Sequence, residues 1–325
     1  MSGNITNKPF LKFREPANVI WSNLWDNAVT IGAPATSGAA YFFKSTVTGA
    51  DSRGYSGSDL AALFGGTGVF EFQYIIADTD TVLSDTFDTI VAPTTAPGGK
   101  GNQLTFIQKK RKDAINSGSR PQAQTMTYLT GTTRRKIGIK QQFKLPANLS
   151  DILDSYADGT GVRWMEFLAI KNGNLTDPNG GTDSRLTIQA VRLNGETGMR
   201  YRFQFDSGAG GGTIYWGPFH SMEGSLVPGV WHEYIVYFEQ PAYTSDTTNG
   251  ICQVVIKNLV SGEIVATLNQ RGGQFYGSLG RNISRISSEL CYTGGWPATG
   301  QIEISFSDRE FSENPRYPLD LLPYL

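Results

Sequence analysis

Cysteine and histidine are nearly missing from this chain, with two of each in 325 residues. Cys252, Cys291, His220 and His232 make no CxxC or HxxxH spacing, which argues against a zinc site. Both cysteines sit in apolar strand-like stretches and read as buried free thiols. Charge is also sparse, at 18% of residues with a net value of −1. The broad basic field that nucleic acid requires is therefore absent. One basic run, Lys109-Lys110-Arg111-Lys112, reads as a solvated strand end. No apolar run approaches the roughly 20 residues of a membrane span. The first residues, Met1-Ser2-Gly3-Asn4-Ile5, lack the charged start and apolar core of a signal peptide. That predicts a protein kept in a host cytoplasm, or released by lysis or inside a virus particle. The sequons at Asn4, Asn148, Asn174 and Asn282 then carry no meaning. P-loop, dinucleotide and GxSxG signatures are missing as well.

What the chain does have is glycine, 38 residues of it, and aromatics at 12%. Glycine at frequent turns and aromatics in strands make a β-rich composition. Lys136 to Pro146 shows the pattern best. Ile137, Ile139 and Phe143 alternate with Lys140, Gln142 and Lys144, the period-two signature of a half-buried strand. Arg200, Arg202 and Gln204 alternate in the same way with Tyr201, Phe203 and Phe205. Short strands recur from Val69 to Asp308, separated by turn signals such as Asn172-Gly173 and Asn194-Gly195. Many strands without intervening helices predict a sandwich or barrel. The one helix candidate is Ser150 to Tyr156, with Ser150 as its N-cap.

Three regions follow. Residues 65–313 form the sandwich, and 314–325 form a proline-bearing tail. Residues 1–64 have apolar anchors (Phe10, Ile20, Trp21, Tyr41, Phe42, Phe43) but no sustained periodicity. They read as an irregular arm or small subdomain that lies over its own sandwich or a neighbouring subunit.

Several strands between about 134 and 310 carry a resemblance. Gly229-Val230-Trp231-His232 is similar to a "G-x-W-H" strand whose Trp plugs the core. Asn249-Gly250-Ile251-Cys252-Gln253-Val254 resembles a "dGxxxVWvnG" strand, and Gln301 to Asp308 resembles a final strand. The family is the jelly-roll group of polysaccharide lyases within the concanavalin A-like lectins and glucanases. The resemblance implies an all-β, concanavalin A-like jelly-roll sandwich. It implies an activity less firmly, because one fold hosts many functions. Such lyases take a proton from beside a uronate carboxylate, using a base and a group that neutralises the carboxylate. Their "Q-x-H" strand matches Trp164-Met165-Glu166-Phe167-Leu168-Ala169, which has no His. Their "K-x-G-x-Y" strand matches Ser288 to Tyr292, where Ser288 replaces Lys and Tyr292 keeps the Tyr. Their "R-x-E" strand matches Lys140-Gln141-Gln142, without Glu.

Tyr292 is accordingly the candidate general base. Lys140, Gln142, Arg200, Arg202 and Gln204 are candidates to line one groove for an acidic glycan, by charge-assisted hydrogen bonds. Trp164 and Trp216 could stack on sugar rings. His232 reads as part of the fold, and His220 as a loop residue. No cofactor is expected. Asp177, Asn179 and Asp183 could offer oxygens to a structural calcium, but turn chemistry explains them better. Because the catalytic pattern is incomplete, the sequence favours a virion-associated structural or decoration protein with a lectin-like sandwich. Its partners would be other virion or oligomer subunits, reached through residues 1–64, and an acidic polysaccharide. The alternatives are a polysaccharide lyase acting by β-elimination and a non-catalytic carbohydrate-binding module.

Overall fold

The computed structural model describes residues 19–23, 30–31, 35–37, 39–48, 70–76, 83–99, 101–109, 122–128, 135–154, 163–172, 184–193, 195–207, 212–215, 223–240, 249–272, 283–293 and 300–313. Its strands are β1 (Val19–Asn23), β2 (Thr30–Ile31), β3 (Ala35–Ser37), β4 (Ala39–Thr48), β5 (Phe70–Ile75), β6 (Phe87–Pro93), β7 (Asn102–Gln108), β8 (Gln122–Tyr128) and β9 (Lys136–Lys144). The series continues with β10 (Arg163–Asn172), β11 (Ser184–Arg192), β12 (Arg200–Ser207), β13 (Gly212–Tyr215), β14 (Trp231–Glu239), β15 (Ile251–Asn258), β16 (Ile264–Arg271), β17 (Ile283–Thr293) and β18 (Ile302–Glu313). Among the described residues, helix is confined to turns at Leu83–Thr86 and Leu149–Asp154. None is long and apolar enough to cross a membrane.

The strands form two antiparallel sheets. The eight-stranded sheet runs β16-β15-β14-β9-β18-β7-β6, with β1 on β18. The ten-stranded sheet runs β13-β12-β11-β10-β17-β8-β5-β4-β2, with β3 on β4. The chain crosses between sheets at β1–β2, β5–β6, β7–β8, β8–β9, β9–β10, β13–β14, β16–β17 and β17–β18, so the central strands of each sheet come from distant parts of the sequence. This is the jelly-roll sandwich that the sequence predicts. The first 64 residues, expected as an arm, contribute β1 to β4 to these sheets in their described parts. β1 pairs with β18 and β4 with β5, both antiparallel.

Alternation places one apolar face of each sheet in a common core. Phe143 of β9 stacks on Phe167 of β10 across the gap, with ring centroids 4.5 Å apart. Tyr201 meets Phe143 edge-on at 6.4 Å. A polar chain also ties the sheets. Tyr234 Oη and Ser288 Oγ both donate to Gln141 Oε1 at 2.6 Å, and Arg309 Nη1 donates to Thr125 Oγ1 at 3.0 Å. Each polar atom so placed avoids the desolvation cost of an unmade bond.

Two local expectations need correction. The second helical turn starts at Leu149, and the Ile152 amide bonds the Asn148 carbonyl, so Asn148 and not Ser150 is the cap. Ser150 Oγ instead accepts from Arg192 Nη2 at 3.0 Å. Trp231, expected to plug the inter-sheet core, is buried at 5% exposure on the opposite face of its sheet. Its partner across the strands is Lys144, whose ammonium lies 5.5 Å over the indole ring. Trp231 Nε1 donates to Thr95 Oγ1 at 3.1 Å and so pins the loop between β6 and β7. Adjacent strand residues point to opposite faces, so the inward position falls to His232. Its ring stacks on Phe143 at 5.6 Å and meets Tyr201 at 5.9 Å. Burial pushes the His232 imidazole down to about 4, against a small opposing pull from the Val230 carbonyl, so it is neutral at pH 7.

Phe143→Ala should therefore lower unfolding free energy by about 3–5 kcal/mol, because it empties space between the sheets. Trp231→Ala should cost less and act locally, through faster amide exchange in residues 94–99. Equal losses of stability in urea melts would contradict the assignment of the two faces.

Candidate functional site

The outer face of the ten-stranded sheet carries aligned rows of side chains across β17, β10, β11 and β12. One row is Trp164, Val191 and Arg200. The next is Cys291, Glu166, Gln189 and Arg202. A third is Ser287, Ala169, Thr187 and Gln204, and a fourth is Arg285, Lys171, Arg185 and Asp206. The face is polar because its strands devote the alternate positions, such as Tyr201, Phe203 and Phe205, to the core.

These groups are bonded into one network. Arg202 Nε donates to Gln189 Oε1 at 2.7 Å, and Arg202 Nη2 donates to the same oxygen. Gln189 Nε2 donates to Glu166 Oε2 and to Thr187 Oγ1, each at 3.2 Å. Arg185 Nε donates to Asp206 Oδ2 at 2.9 Å, and its Nη1 lies 3.9 Å from Glu166 Oε1. Gln204 Nε2 donates to Asp206 Oδ1 at 2.7 Å. On the other side, Gln122 Nε2 donates to Glu289 Oε2 at 3.0 Å, and Lys171 Nζ lies 3.7 Å from that oxygen. Glu166 and Glu289 belong to the same network, and each is 1% exposed.

Burial raises the Glu166 carboxyl well above the usual range, and the neighbouring Glu289 raises it further. Burial also works against ionising Glu289, but Lys171, the bond from Glu166, Arg185 and Gln122 outweigh it and hold Glu289 below the usual range. The two carboxyls are thus driven apart in acidity, Glu166 upward and Glu289 downward, as expected when two carboxyls share a low-dielectric site. The way in from solvent is Arg185, whose side chain is 38% exposed.

The structure brings together Arg200, Arg202, Gln204 and Trp164 from the sequence-derived set. Lys140 and Gln142 lie in β9, in the other sheet, so the single groove containing all of them does not form. Lys140 instead faces Glu233 at 3.5 Å. For the same reason Lys140-Gln141-Gln142 cannot face a site shared with β10 and β17; the strand flanking β17 is β8. Tyr292 lies in β17 opposite Met165, and its side chain is outside the described residues. Trp216, His220, Asp177, Asn179 and Asp183 also lie outside them. Among the described residues no group of three or more His, Cys, Asp or Glu could hold a metal ion. Cys252 is buried and Cys291 half-buried, both as free thiols.

Sequence reasoning passed over Glu166, Glu289, Lys171, Arg185 and Gln189. The signal for the two acids was present: each is a lone carboxylate inside an apolar strand, Trp-Met-Glu-Phe-Leu and Ser-Glu-Leu-Cys. A buried acid in such a place needs partners.

No protein-family profile and no curated protein matches the chain. Among solved structures it resembles jelly-roll polysaccharide lyases. An alginate lyase variant in complex with an alginate tetrasaccharide is 14% identical, over 90% of this chain and 96% of that one, with a TM-score of 0.46. The endo-β-1,4-glucuronan lyase of the fungus Trichoderma reesei is 11% identical, over 70% and 87%, with a TM-score of 0.42. An alginate lyase from a Chlorella virus is 11% identical, over 70% and 89%, with a TM-score of 0.43.

The charge assignment has a direct consequence. Glu289→Gln leaves the Lys171 charge without its buried anion and should cost about 3–5 kcal/mol. Glu166→Gln can still donate to Glu289 and accept from Gln189, and should cost less than about 1.5 kcal/mol. Urea melts of the two variants check this, and the reverse order would contradict it.

Proposed function

We propose that the protein binds an acidic polysaccharide across the outer face of the ten-stranded sheet and cleaves it by β-elimination. The observation that carries this reading is the cationic network of that face: Arg202 held on Gln189, Gln189 on Glu166, and Lys171 and Arg185 around the two acids. Guanidinium groups oriented in advance suit sugar carboxylates, to which they bond strongly and with defined geometry. Trp164, in the row of Arg200, supplies an aromatic surface for a sugar ring.

In β-elimination a base takes the proton beside the uronate carboxylate. The released electron pair forms a carbon–carbon double bond. The neighbouring glycosidic C–O bond breaks, and its oxygen leaves with a proton. Negative charge grows on the carboxylate, so fixed cations and acids nearby lower the barrier. Among the described residues of this face Arg185 is the cation most open to solvent, whereas Tyr292 stands opposite the core residue Met165, in the strand phase of the inner face, and is not assigned as the base here. Glycoside hydrolysis fits less well. It needs two carboxyls open to the sugar, roughly 5–9.5 Å apart on either side of it, whereas Glu166 and Glu289 are each 1% exposed and tied to Gln189 and Gln122. The virion reading drew on residues 1–64 reaching other subunits, and the described parts of those residues are paired within the sandwich's own sheets.

The test is incubation with alginate, glucuronan and a heparin-like chain, followed by ultraviolet absorbance of the unsaturated uronate product. Absorbance should rise with at least one of them. Arg185→Ala should lower kcat/KM by about 10- to 100-fold, the worth of one hydrogen bond to a charged group. Absence of both turnover and binding on all three glycans would overturn the proposal.

A further inference from the structure

Among the described residues, β6 is the outermost strand of the eight-stranded sheet, paired with β7 alone. The bonds at its two ends show which backbone groups face the open side. The Lys109 amide bonds the Thr86 carbonyl, and the Thr94 amide bonds the Gly101 carbonyl. Hydrogen-bonded pairs alternate along an antiparallel ladder. Asp88, Ile90 and Ala92 therefore bond β7, while Phe87, Thr89, Val91 and Pro93 direct their backbone groups to the open edge. The side chains of this second set go inward. Phe87 is in the core, Val91 packs against it, and Thr89 Oγ1 and Tyr74 Oη share a hydrogen bond of 2.8 Å. The first set faces out, and Ile90, at the middle of the strand, is 45% exposed. An open edge of uncharged, β-prone residues is a template for pairing unless something blocks it. Asp88 is the one charged residue of β6, and Lys109 Nζ neutralises it at 2.9 Å. β16, at the other edge of the sheet, is guarded: it ends in the exposed Arg271, and the Gln270 amide bonds the Gly272 carbonyl.

We infer that β6 pairs antiparallel with β6 of a second copy of this chain, about a two-fold axis through Ile90, and so joins two eight-stranded sheets into one. The register is self-complementary. Thr89 falls opposite Val91 of the second copy and Val91 opposite Thr89, and each pair exchanges two backbone bonds. Phe87 falls opposite Pro93, which has no N–H, so that pair makes a single bond from the Phe87 amide. Ile90 meets Ile90 in a non-hydrogen-bonded position, where side chains approach most closely. Asp88 falls opposite Ala92, so like charges do not face each other. Such a contact uses the same patch on both copies and closes on itself. Seven residues a side make a small interface, under the roughly 800 Å² per partner of a standard one, so the dimer forms in a concentration-dependent way. The axis is normal to the shared sheet, so the outer faces of both ten-stranded sheets point the same way. One long acidic glycan can then span both faces. That consequence rests on the acidic-polysaccharide reading; the dimer itself does not.

Sedimentation velocity of the full chain over a range of concentrations reads the dimer directly. The wild type should pass from monomer to dimer as concentration rises. Ile90→Lys sets two ammonium groups together on the axis and should raise the dissociation constant about tenfold or more. Its dilute monomer should melt as the wild type does, because Ile90 lies outside the core. Ile90→Cys should form a disulfide-linked dimer on mild oxidation. Asp88→Cys, which falls opposite Ala92 and far from its own copy, should not. Neither should the wild type, whose Cys252 is buried and Cys291 half-buried. A wild type that stays monomeric at every concentration, an Ile90→Lys variant that dimerises as readily, or equal cross-linking of the two cysteine variants would overturn the pairing. The cross-linked Ile90→Cys dimer should hold long alginate about 100-fold tighter than Ile90→Lys does, and a short alginate oligosaccharide equally. Equal affinity for long alginate would overturn the spanning of both faces. If the cross-link forms and neither protein binds alginate of any length, the dimer stands and the glycan reading fails.

Discussion

A β-bulge in the middle of β10 organises the site. Along the strand, register to both neighbours shifts between Glu166 and Leu168. Without that shift, strict alternation would put Glu166 and Lys171, an odd number of residues apart, on opposite faces. With it, Phe167 and Leu168 both enter the core, and Glu166 and Lys171 both join the outer face. Phe167 is the residue that stacks on Phe143 across the sandwich. The same local irregularity therefore secures the two sheets and brings two buried carboxyls and two cations together on the far side. Bulges re-aim side chains in this way near functional sites.

The two faces of the ten-stranded sheet support one another. Behind Glu289 in β17, Ser288 points into the core and donates to Gln141 of the opposite sheet. Ser288 occupies the position where the lyase resemblance has a lysine. Ser288 makes an inter-sheet bond there, and the strand carries a charge one residue later, at Glu289. Lys171 supplies the cation from the neighbouring strand instead.

Much of the fold was legible in the residues. The alternation in β9 and β12 named the core partners Ile137, Ile139, Phe143, Tyr201, Phe203 and Phe205, all buried together. The same alternation placed Arg200, Arg202 and Gln204 on one face. Alternation within a strand says nothing of which sheet the strand joins, and so Lys140 and Gln142 were grouped with a face they do not share. It also says nothing of a phase slip, which is why Glu166 and Lys171 were not seen as neighbours. The exchange of roles between Trp231 and His232 has a related cause. A large aromatic is the natural plug, but β14 is phased by Tyr234, Val236 and Phe238, and that phase sends His232 inward.

The central claim is that the outer face of the ten-stranded sheet, and not that of the eight-stranded sheet, meets an acidic glycan. Titrating isotopically labelled protein with an alginate oligosaccharide, and following side-chain resonances, tests it most directly. The account predicts saturable shifts at the Arg185 and Arg202 guanidinium groups and the Gln189 amide. Shifts confined to Lys140, Gln142 and Lys144, or none at any of these groups, would contradict it.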